Sequence, residues 1–159
     1  MAVQYSGSRS ARAMTTPKPN RGLRRQRPHV LLVDDDPADQ ELVRRCVEHD
    51  AVDLTILDNG QDALDYFLGP GGPSRESPDL VLLDLNMPGK RGNEIIGDMR
   101  KTLARWVPIV VFSSSSDLKD MVECYEAGCS TYIPKPLDIE SFRGVLEIIM
   151  TYWFVVAEN

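Results

Sequence analysis

The sequence lacks the features that mark membrane-spanning and disulfide-built proteins. Its 159 residues contain no apolar run near the roughly 18 to 20 residues that a membrane helix requires, and the first residues lack the apolar core of a secretory signal. The three cysteines, Cys46, Cys124 and Cys129, contain no CxxC pair and are odd in number, which disfavours a disulfide scaffold or a cysteine-rich zinc site. We therefore expect a soluble cytoplasmic protein with reduced thiols.

Acidic residues are missing from the beginning of the chain. Residues 1–28 contain seven basic residues and no acidic one, whereas the rest of the chain has 11 basic and 24 acidic residues, a net charge of −13. Because residues 1–28 also have few apolar side chains, we predict that they form a disordered basic extension. Residues 29–159 suffice for one domain, whose negative charge would repel nucleic-acid phosphates and attract cations.

From residue 29 onward, short apolar runs alternate with amphipathic segments. The runs that predict strands are Val30–Val33, Val52–Leu57, Leu80–Leu83, Ile109–Phe112 and Thr131–Ile133. A helical segment follows each run, and continuous apolar runs are typical of parallel strands that are covered on both faces. The alternation predicts an α/β fold in which five helices cover the two faces of a five-stranded parallel sheet.

Polar residues follow four of the five predicted strands closely. Asp34 and Asp35 follow the first strand, Asp84 the third, Ser113 the fourth and Lys135 the fifth. Ligands of open parallel sheets bind beyond the carboxyl ends of the strands, so we expect these side chains to converge there. Three neighbouring carboxylates need a cation to remain ionised, and Mg²⁺ (or Mn²⁺) suits oxygen ligands better than a zinc-type ion does.

A carboxylate beside Mg²⁺ can act as a nucleophile and form a mixed anhydride with phosphate. In that chemistry the cation offsets charge on the phosphoryl oxygens, Lys135 adds a second positive charge, and Ser113 offers a hydroxyl donor. Helix capping is the alternative role for an aspartate at such a place. Capping suits Asp36, which precedes Pro37, but not Asp84, which directly follows an apolar strand.

Four sequence segments resemble the receiver domains of two-component response regulators. They are Val33-Asp34-Asp35-Asp36-Pro37, Asp84-Leu85-Asn86-Met87-Pro88-Gly89, Ile109-Val110-Val111-Phe112-Ser113-Ser114 and Tyr132-Ile133-Pro134-Lys135-Pro136. The resemblance covers about residues 29–150 and implies a flavodoxin-like, doubly wound sheet with strand order 2-1-3-4-5. It also implies a signalling switch, not an enzyme, that receives its phosphoryl group from a sensor histidine kinase.

The same resemblance implies roles for the acidic residues. Asp84 would be the phosphoacceptor, and Asp34 and Asp35 would be the acid pair that holds Mg²⁺ together with Asp84. Asp35 would bind the ion directly and Asp34 largely through water, while the backbone carbonyl of Asn86 would complete the protein ligands.

Further roles concern the last two strands. Lys135 would pair with Asp84 and then with the phosphoryl group, and its bond to Pro136 would be cis. Ser113 and Tyr132 would occupy the two switch positions: the hydroxyl moves to the phosphoryl oxygen, and the aromatic ring turns inward behind it.

A closer likeness relates the chain to the small regulators of bacterial and cyanobacterial phytochrome histidine kinases. It rests on a long insertion at Gly69–Pro78, on the segment Asp84–Pro88 and on the ending Tyr152-Trp153-Phe154. This likeness implies a bacteriophytochrome as the cognate kinase.

Only 23 residues follow Pro136, which predicts a final helix and neither a DNA-binding domain nor another output domain. We expect the signal to leave through a protein surface, without membrane or DNA binding by the receiver. Tyr152, Trp153 and Phe154 add more apolar surface than the end of a terminal helix needs, so we predict a homodimer through these residues.

Two alternatives remain open from the sequence. The chain would serve either as a terminal switch or as an intermediate that passes phosphate along a phosphorelay. A Mg²⁺-dependent phosphatase with an aspartyl nucleophile is the rival from another class of protein. Such enzymes place a second aspartate two residues after the nucleophile, and here Asn86 holds that position.

Overall fold

The computed structural model describes residues 27–48, 52–70, 77–103 and 107–156. Its strands are β1 (His29–Val33), β2 (Asp53–Leu57), β3 (Leu80–Leu83), β4 (Ile109–Ser113) and β5 (Thr131–Pro134). Its helices are α1 (Pro37–Val47), α2 (Gly60–Leu68), α3 (Gly92–Thr102), α4 (Leu118–Ala127) and α5 (Ile139–Thr151), and a π-helical turn (Tyr152–Val156) continues α5. The predicted alternation of strands and helices is confirmed. Most of the predicted basic extension lies outside the described residues and stays a prediction.

The five strands form one parallel sheet in the order β2-β1-β3-β4-β5, as predicted. The three central strands, β1, β3 and β4, are buried along their whole length, whereas the edge strands β2 and β5 are partly exposed. Burial on both faces explains why the central strands consist of continuous apolar runs.

Helices cover both faces of the sheet. Side chains of one strand alternate between the faces, so Val30 and Leu32 of β1 pack with α1 and α5, while Leu31 and Val33 pack with α2, α3 and α4. The core therefore consists of two apolar layers. The polar residues that follow the strands lie outside these layers, at the edge of the sheet.

Helix capping fixes the chain just beyond the first strand. The Asp36 side chain accepts a hydrogen bond from the Ala38 N–H at 2.8 Å, and Pro37 takes the first helical position. At the end of α4, Gly128 has a φ of 105°, a left-handed conformation that favours glycine at a helix terminus. The cap at Asp36 fixes the start of α1 immediately after Asp34 and Asp35 in the chain.

The end of the described chain is only partly packed against the core. Trp153 and Phe154 are half-buried against the layer formed with α1 and α5. Tyr152, Val155 and Val156, in contrast, are each more than half exposed. None of the helices in the described ranges is long and apolar enough to cross a membrane.

Candidate functional site

The strand register brings the predicted site residues to one rim of the sheet. Val33 pairs with Leu83, and the next residue continues the ladder, because the Asp84 N–H donates to the Val33 carbonyl at 2.9 Å. The Lys135 N–H likewise donates to the Ser113 carbonyl at 2.8 Å. The acidic and basic side chains therefore leave neighbouring strands at the same level.

Three carboxylates meet at this rim. One oxygen from each of Asp34, Asp35 and Asp84 lies within 4.8 Å of the others. Asp34 and Asp84 are buried, at 2% and 5% exposure, whereas Asp35 is exposed to solvent. A set of carboxylate oxygens with access from solvent fits a hard divalent cation, and such a cation would offset the repulsion between the carboxylates.

Lys135 faces the buried carboxylates. Its ammonium group lies 2.8 Å from Asp34 Oδ2, 2.8 Å from Asp39 Oδ2 and 3.1 Å from Asp84 Oδ2, and its side chain is 7% exposed. Burial alone would lower the pKa of Lys135, but hydrogen bonds to Asp34 and Asp39 and the nearby charges outweigh burial and raise that pKa. The group is therefore a permanent cation in the site.

Backbone N–H groups orient the two buried carboxylates. Oδ1 of Asp34 accepts from the Asp36 N–H at 2.9 Å, and Oδ1 of Asp84 accepts from the Asn86 N–H at 3.2 Å. In each carboxylate, Oδ1 thus accepts a backbone hydrogen bond and Oδ2 contacts the Lys135 ammonium. Burial raises the pKa of Asp34, against the lowering effect of the hydrogen bonds from Lys135 and the Asp36 N–H.

The peptide bond between Lys135 and Pro136 is trans, so the predicted cis bond is wrong. A bond before proline favours the trans form by about 0.5–1 kcal/mol unless its surroundings require the cis form. Here the trans chain already brings the Lys135 ammonium within hydrogen-bonding distance of three carboxylates, so its reach does not require the cis form.

The two predicted switch residues are buried and share one neighbour. The Ser113 hydroxyl accepts a hydrogen bond from the Ser115 N–H at 3.4 Å, and Tyr132 donates its phenol proton to the Ser115 carbonyl at 2.9 Å. Burial raises the pKa of Tyr132. The ring of Tyr132 thus already lies inward, at 6% exposure, and Ser115 joins it to Ser113.

The sequence did not identify several residues that support the site. The Gln40 side-chain amide bridges the Asp34 carbonyl at 2.7 Å and Asp58 Oδ1 at 2.9 Å, and thereby ties together the chain beyond β1 and the chain beyond β2. The Asn86 side-chain amide donates to the Ser114 hydroxyl, which joins the loops beyond β3 and β4. Asp39, the third partner of Lys135, lies in the first turn of α1. The helix dipole favours acidic residues there, so no pattern in the sequence indicates a further role for Asp39.

The model of the response regulator receiver domain family matches residues 30–147. The chain belongs to this family. It is 32% identical to the response regulator Rcp1 of Synechocystis sp. over 130 residues, which cover 78% of this chain and 87% of Rcp1. It is 33% identical to the probable methanogenesis regulatory protein FilR2 of Methanothrix harundinacea over 127 residues, which cover 78% of this chain and 82% of FilR2.

Solved receiver structures agree with this membership. The phosphorylated cyanobacterial phytochrome response regulator RcpA superposes with a TM-score of 0.76 at 27% identity, over 82% of this chain and 96% of RcpA. The Mn²⁺-bound form of Rcp1 superposes with a TM-score of 0.73 at 28% identity, over 80% of this chain and 95% of Rcp1. The predicted family and its likeness to phytochrome response regulators are confirmed. Receiver domains bind divalent metal, and the Asp34–Asp35–Asp84 cluster lies where such an ion fits.

Proposed function

We propose that this receiver accepts a phosphoryl group on Asp84 from a histidine kinase and so acts as a switch in a two-component system. One observation carries the proposal: Asp84 lies in a cluster with Asp34 and Asp35, and the Lys135 ammonium is 3.1 Å from its Oδ2. This arrangement joins a nucleophile to the charges that phosphoryl transfer requires.

The residues divide the reaction among them. A carboxylate oxygen of Asp84 forms the new bond to phosphorus, while the bond from phosphorus to the kinase histidine nitrogen breaks and leaves its electron pair on that nitrogen. Asp34, Asp35, Asp84 and the backbone carbonyl of Asn86 would hold Mg²⁺, which supplies neutralisation of charge on the phosphoryl oxygens. The Lys135 ammonium, which forms an ion pair with Asp84 at 3.1 Å, moves toward a phosphoryl oxygen.

The loop beyond β4 reports the modification. The hydrogen bond between the Ser115 N–H and the Ser113 hydroxyl is long, at 3.4 Å, so the hydroxyl can move to a phosphoryl oxygen at little cost. Ser115 also holds the Tyr132 phenol through its carbonyl. Movement of Ser113 therefore shifts the Ser115 backbone, the Tyr132 ring and the start of α4 together.

Incubation with acetyl phosphate and Mg²⁺ tests the assignment of Asp84. Intact mass spectrometry should detect one phosphoryl group on the wild-type chain and none on Asp84→Asn. Asp36→Asn is the matched control, because it removes an aspartate charge from the same rim while asparagine remains a good helix cap. Labelling of Asp84→Asn equal to the wild type would overturn the assignment.

The donor we propose is a phytochrome histidine kinase. The likeness to RcpA, a cyanobacterial phytochrome response regulator, supports this choice. Transfer from a radiolabelled bacteriophytochrome kinase should exceed transfer from an unrelated histidine kinase at equal concentration. Equal rates from both kinases would contradict the phytochrome link.

A homodimer through the end of α5 is the second partner that we propose. The exposed residues of the π-helical turn support it, because Tyr152 and Val156 lie four residues apart and present one apolar surface. Trp153 and Phe154 contribute less free surface, since both pack partly on their own core.

Sedimentation of substituted chains tests the dimer. Tyr152→Asp together with Val156→Asp should shift the protein toward the monomer. Leu118→Asp on α4, at a position that is 71% exposed, is the control and should leave the assembly unchanged. Deletion of residues 152–159 should also give the monomer, and a dimer that persists in every variant would refute this interface.

A further inference from the structure

The Lys135 ammonium has three N–H donors. It hydrogen-bonds to Asp34 and Asp39 and also forms an ion pair with Asp84. Asp34 and Asp39 each lie at 2.8 Å, and Asp84 lies at 3.1 Å. A phosphoryl group on Asp84 needs one of these donors and draws the ammonium toward itself. This movement lengthens the two shorter contacts, to Asp34 and Asp39.

Asp39 differs from the other two partners in its place in the fold. It projects from the first turn of α1, two residues after the proline at the first helical position, and its side chain is 24% exposed. It is absent from the group of carboxylates whose oxygens converge on the candidate cation site, which consists of Asp34, Asp35 and Asp84. Its side chain accepts a hydrogen bond from Lys135, which lies 96 residues later in the chain.

We propose that Asp39 is a positioning residue that holds Lys135 on the α1 side of the site and competes with the phosphoryl group for its ammonium. This inference rests on the proposed function of Asp84. Formation of the phosphorylated state pulls Lys135 away from Asp39 and loosens the connection between β5 and the start of α1. Removal of the Asp39 charge therefore favours the phosphorylated state.

The charges at the rim also favour the phosphorylated state when Asp39 is neutralised. Asp34, Asp35, Asp39 and Asp84 carry four negative charges against the single positive charge of Lys135, before any cation binds. A phosphoryl group brings further negative charge to the same rim. Asp39 attracts a divalent cation as the other carboxylates do, but it opposes the phosphoryl group both by repulsion and by retention of Lys135.

Beryllofluoride, a non-covalent analogue of the phosphoryl group, separates these two effects. In saturating Mg²⁺, a fluorine NMR titration should show that Asp39→Asn binds beryllofluoride about three- to tenfold more tightly than the wild type, since the largely buried ion pair between Lys135 and Asp39 no longer competes. Asp39→Ala should bind at least as tightly. In a separate titration with Mg²⁺ alone, both variants should bind the ion more weakly than the wild type. Opposite changes for two ligands are not expected of a variant that merely loosens the fold.

Asp36→Asn is the matched control, because it removes the same charge three residues earlier and keeps its helix cap. It should weaken Mg²⁺ binding slightly and change beryllofluoride binding much less than Asp39→Asn does. If Asp39→Asn binds beryllofluoride no more tightly than Asp36→Asn, or if Asp39→Ala binds it more weakly than the wild type, competition is wrong. Absence of binding to the wild-type chain would instead refute the proposed function of Asp84.

Discussion

The two ends of the sheet treat their polar groups in opposite ways. At the amino end, side chains of the fold bond to backbone groups beside the strands: the His29 N–H donates to Asp79 Oδ2 at 2.8 Å. Arg100 donates to the carbonyls of Val107, at 2.7 Å, and Gly128, at 2.9 Å, which precede β4 and β5. These contacts close the fold and need no further ligand.

At the carboxyl end, negative charge exceeds positive charge. Lys135 contacts Asp34, Asp39 and Asp84, and Asp35 lies in the same group of acids. Three carboxylates thus contact one ammonium and a fourth lies beside them, which leaves an excess of negative charge that a divalent cation would offset. Folding alone thus satisfies these groups at the amino end, whereas the carboxyl end keeps an excess of negative charge that is suited to binding a cation.

Loss of Lys135 should have the largest effect on stability, because it removes the positive charge at the carboxyl end. Lys135→Met leaves buried Asp34 and Asp84 and their neighbour Asp39 without a cation, so the free energy of unfolding should fall by about 3–5 kcal/mol without Mg²⁺. Saturating Mg²⁺ should restore part of this loss, as urea unfolding would measure.

An exposed lysine provides the control for that variant. Lys90 pairs with Asp98 at 3.3 Å with 45% of its side chain exposed, so Lys90→Met should cost less than about 1 kcal/mol. A similarly small loss for Lys135→Met, or a loss that Mg²⁺ does not change, would contradict the charge imbalance at the carboxyl end.

Mg²⁺ itself should stabilise the wild-type protein. At a hundredfold excess over its dissociation constant, an ion that binds only the folded state adds about 2.7 kcal/mol to the free energy of unfolding. Asp35→Asn should need a higher Mg²⁺ concentration for the same gain, because it removes one carboxylate of the group. Equal stabilisation by Na⁺ at matched ionic strength would show screening and no site.

The apolar strands and the strand ends made most of this rim predictable. The buried runs Val30–Val33 and Leu80–Leu83 fixed the central strands, and parallel topology then placed Asp34 beside Asp84. Asp39 could not be found in this way. Its contact depends on how far the Lys135 side chain reaches across to α1, a distance of 96 residues along the chain that no local pattern encodes.

The trans bond before Pro136 is a second feature that the sequence alone does not predict. The prediction of a cis bond came from resemblance alone, because either isomer is compatible with the sequence Pro134-Lys135-Pro136. Tertiary packing decides between the isomers, and their intrinsic difference is only about 0.5–1 kcal/mol. Resemblance to a family correctly predicts which chemical groups are present, because the sequence determines their identity. It does not predict their detailed geometry, which depends on packing.

A variant at the amino end should lose stability by an amount that does not depend on Mg²⁺. Arg100→Leu leaves the carbonyls of Val107 and Gly128 without this donor, which should lower the free energy of unfolding by about 1–3 kcal/mol. The loss should be the same with and without Mg²⁺ in urea unfolding. A loss that Mg²⁺ relieved would mean that the two ends are coupled.

The smallest effect that we expect is the pH dependence that comes from Asp34. Burial raises its folded pKa above the ordinary value of 3.8, so in the absence of metal it stabilises the fold at low pH, and this contribution is lost as the pH rises through the folded pKa. Asp34→Asn lacks this titration, so the difference in unfolding free energy between wild type and variant should move in favour of the variant as the pH rises above 3.8. Mg²⁺ should reverse the trend, because a bound cation favours the ionised carboxylate. A difference that did not vary with pH in metal-free buffer would mean that Lys135 already compensates Asp34 fully, and the imbalance at the carboxyl end would then have to lie with Asp35 and Asp84.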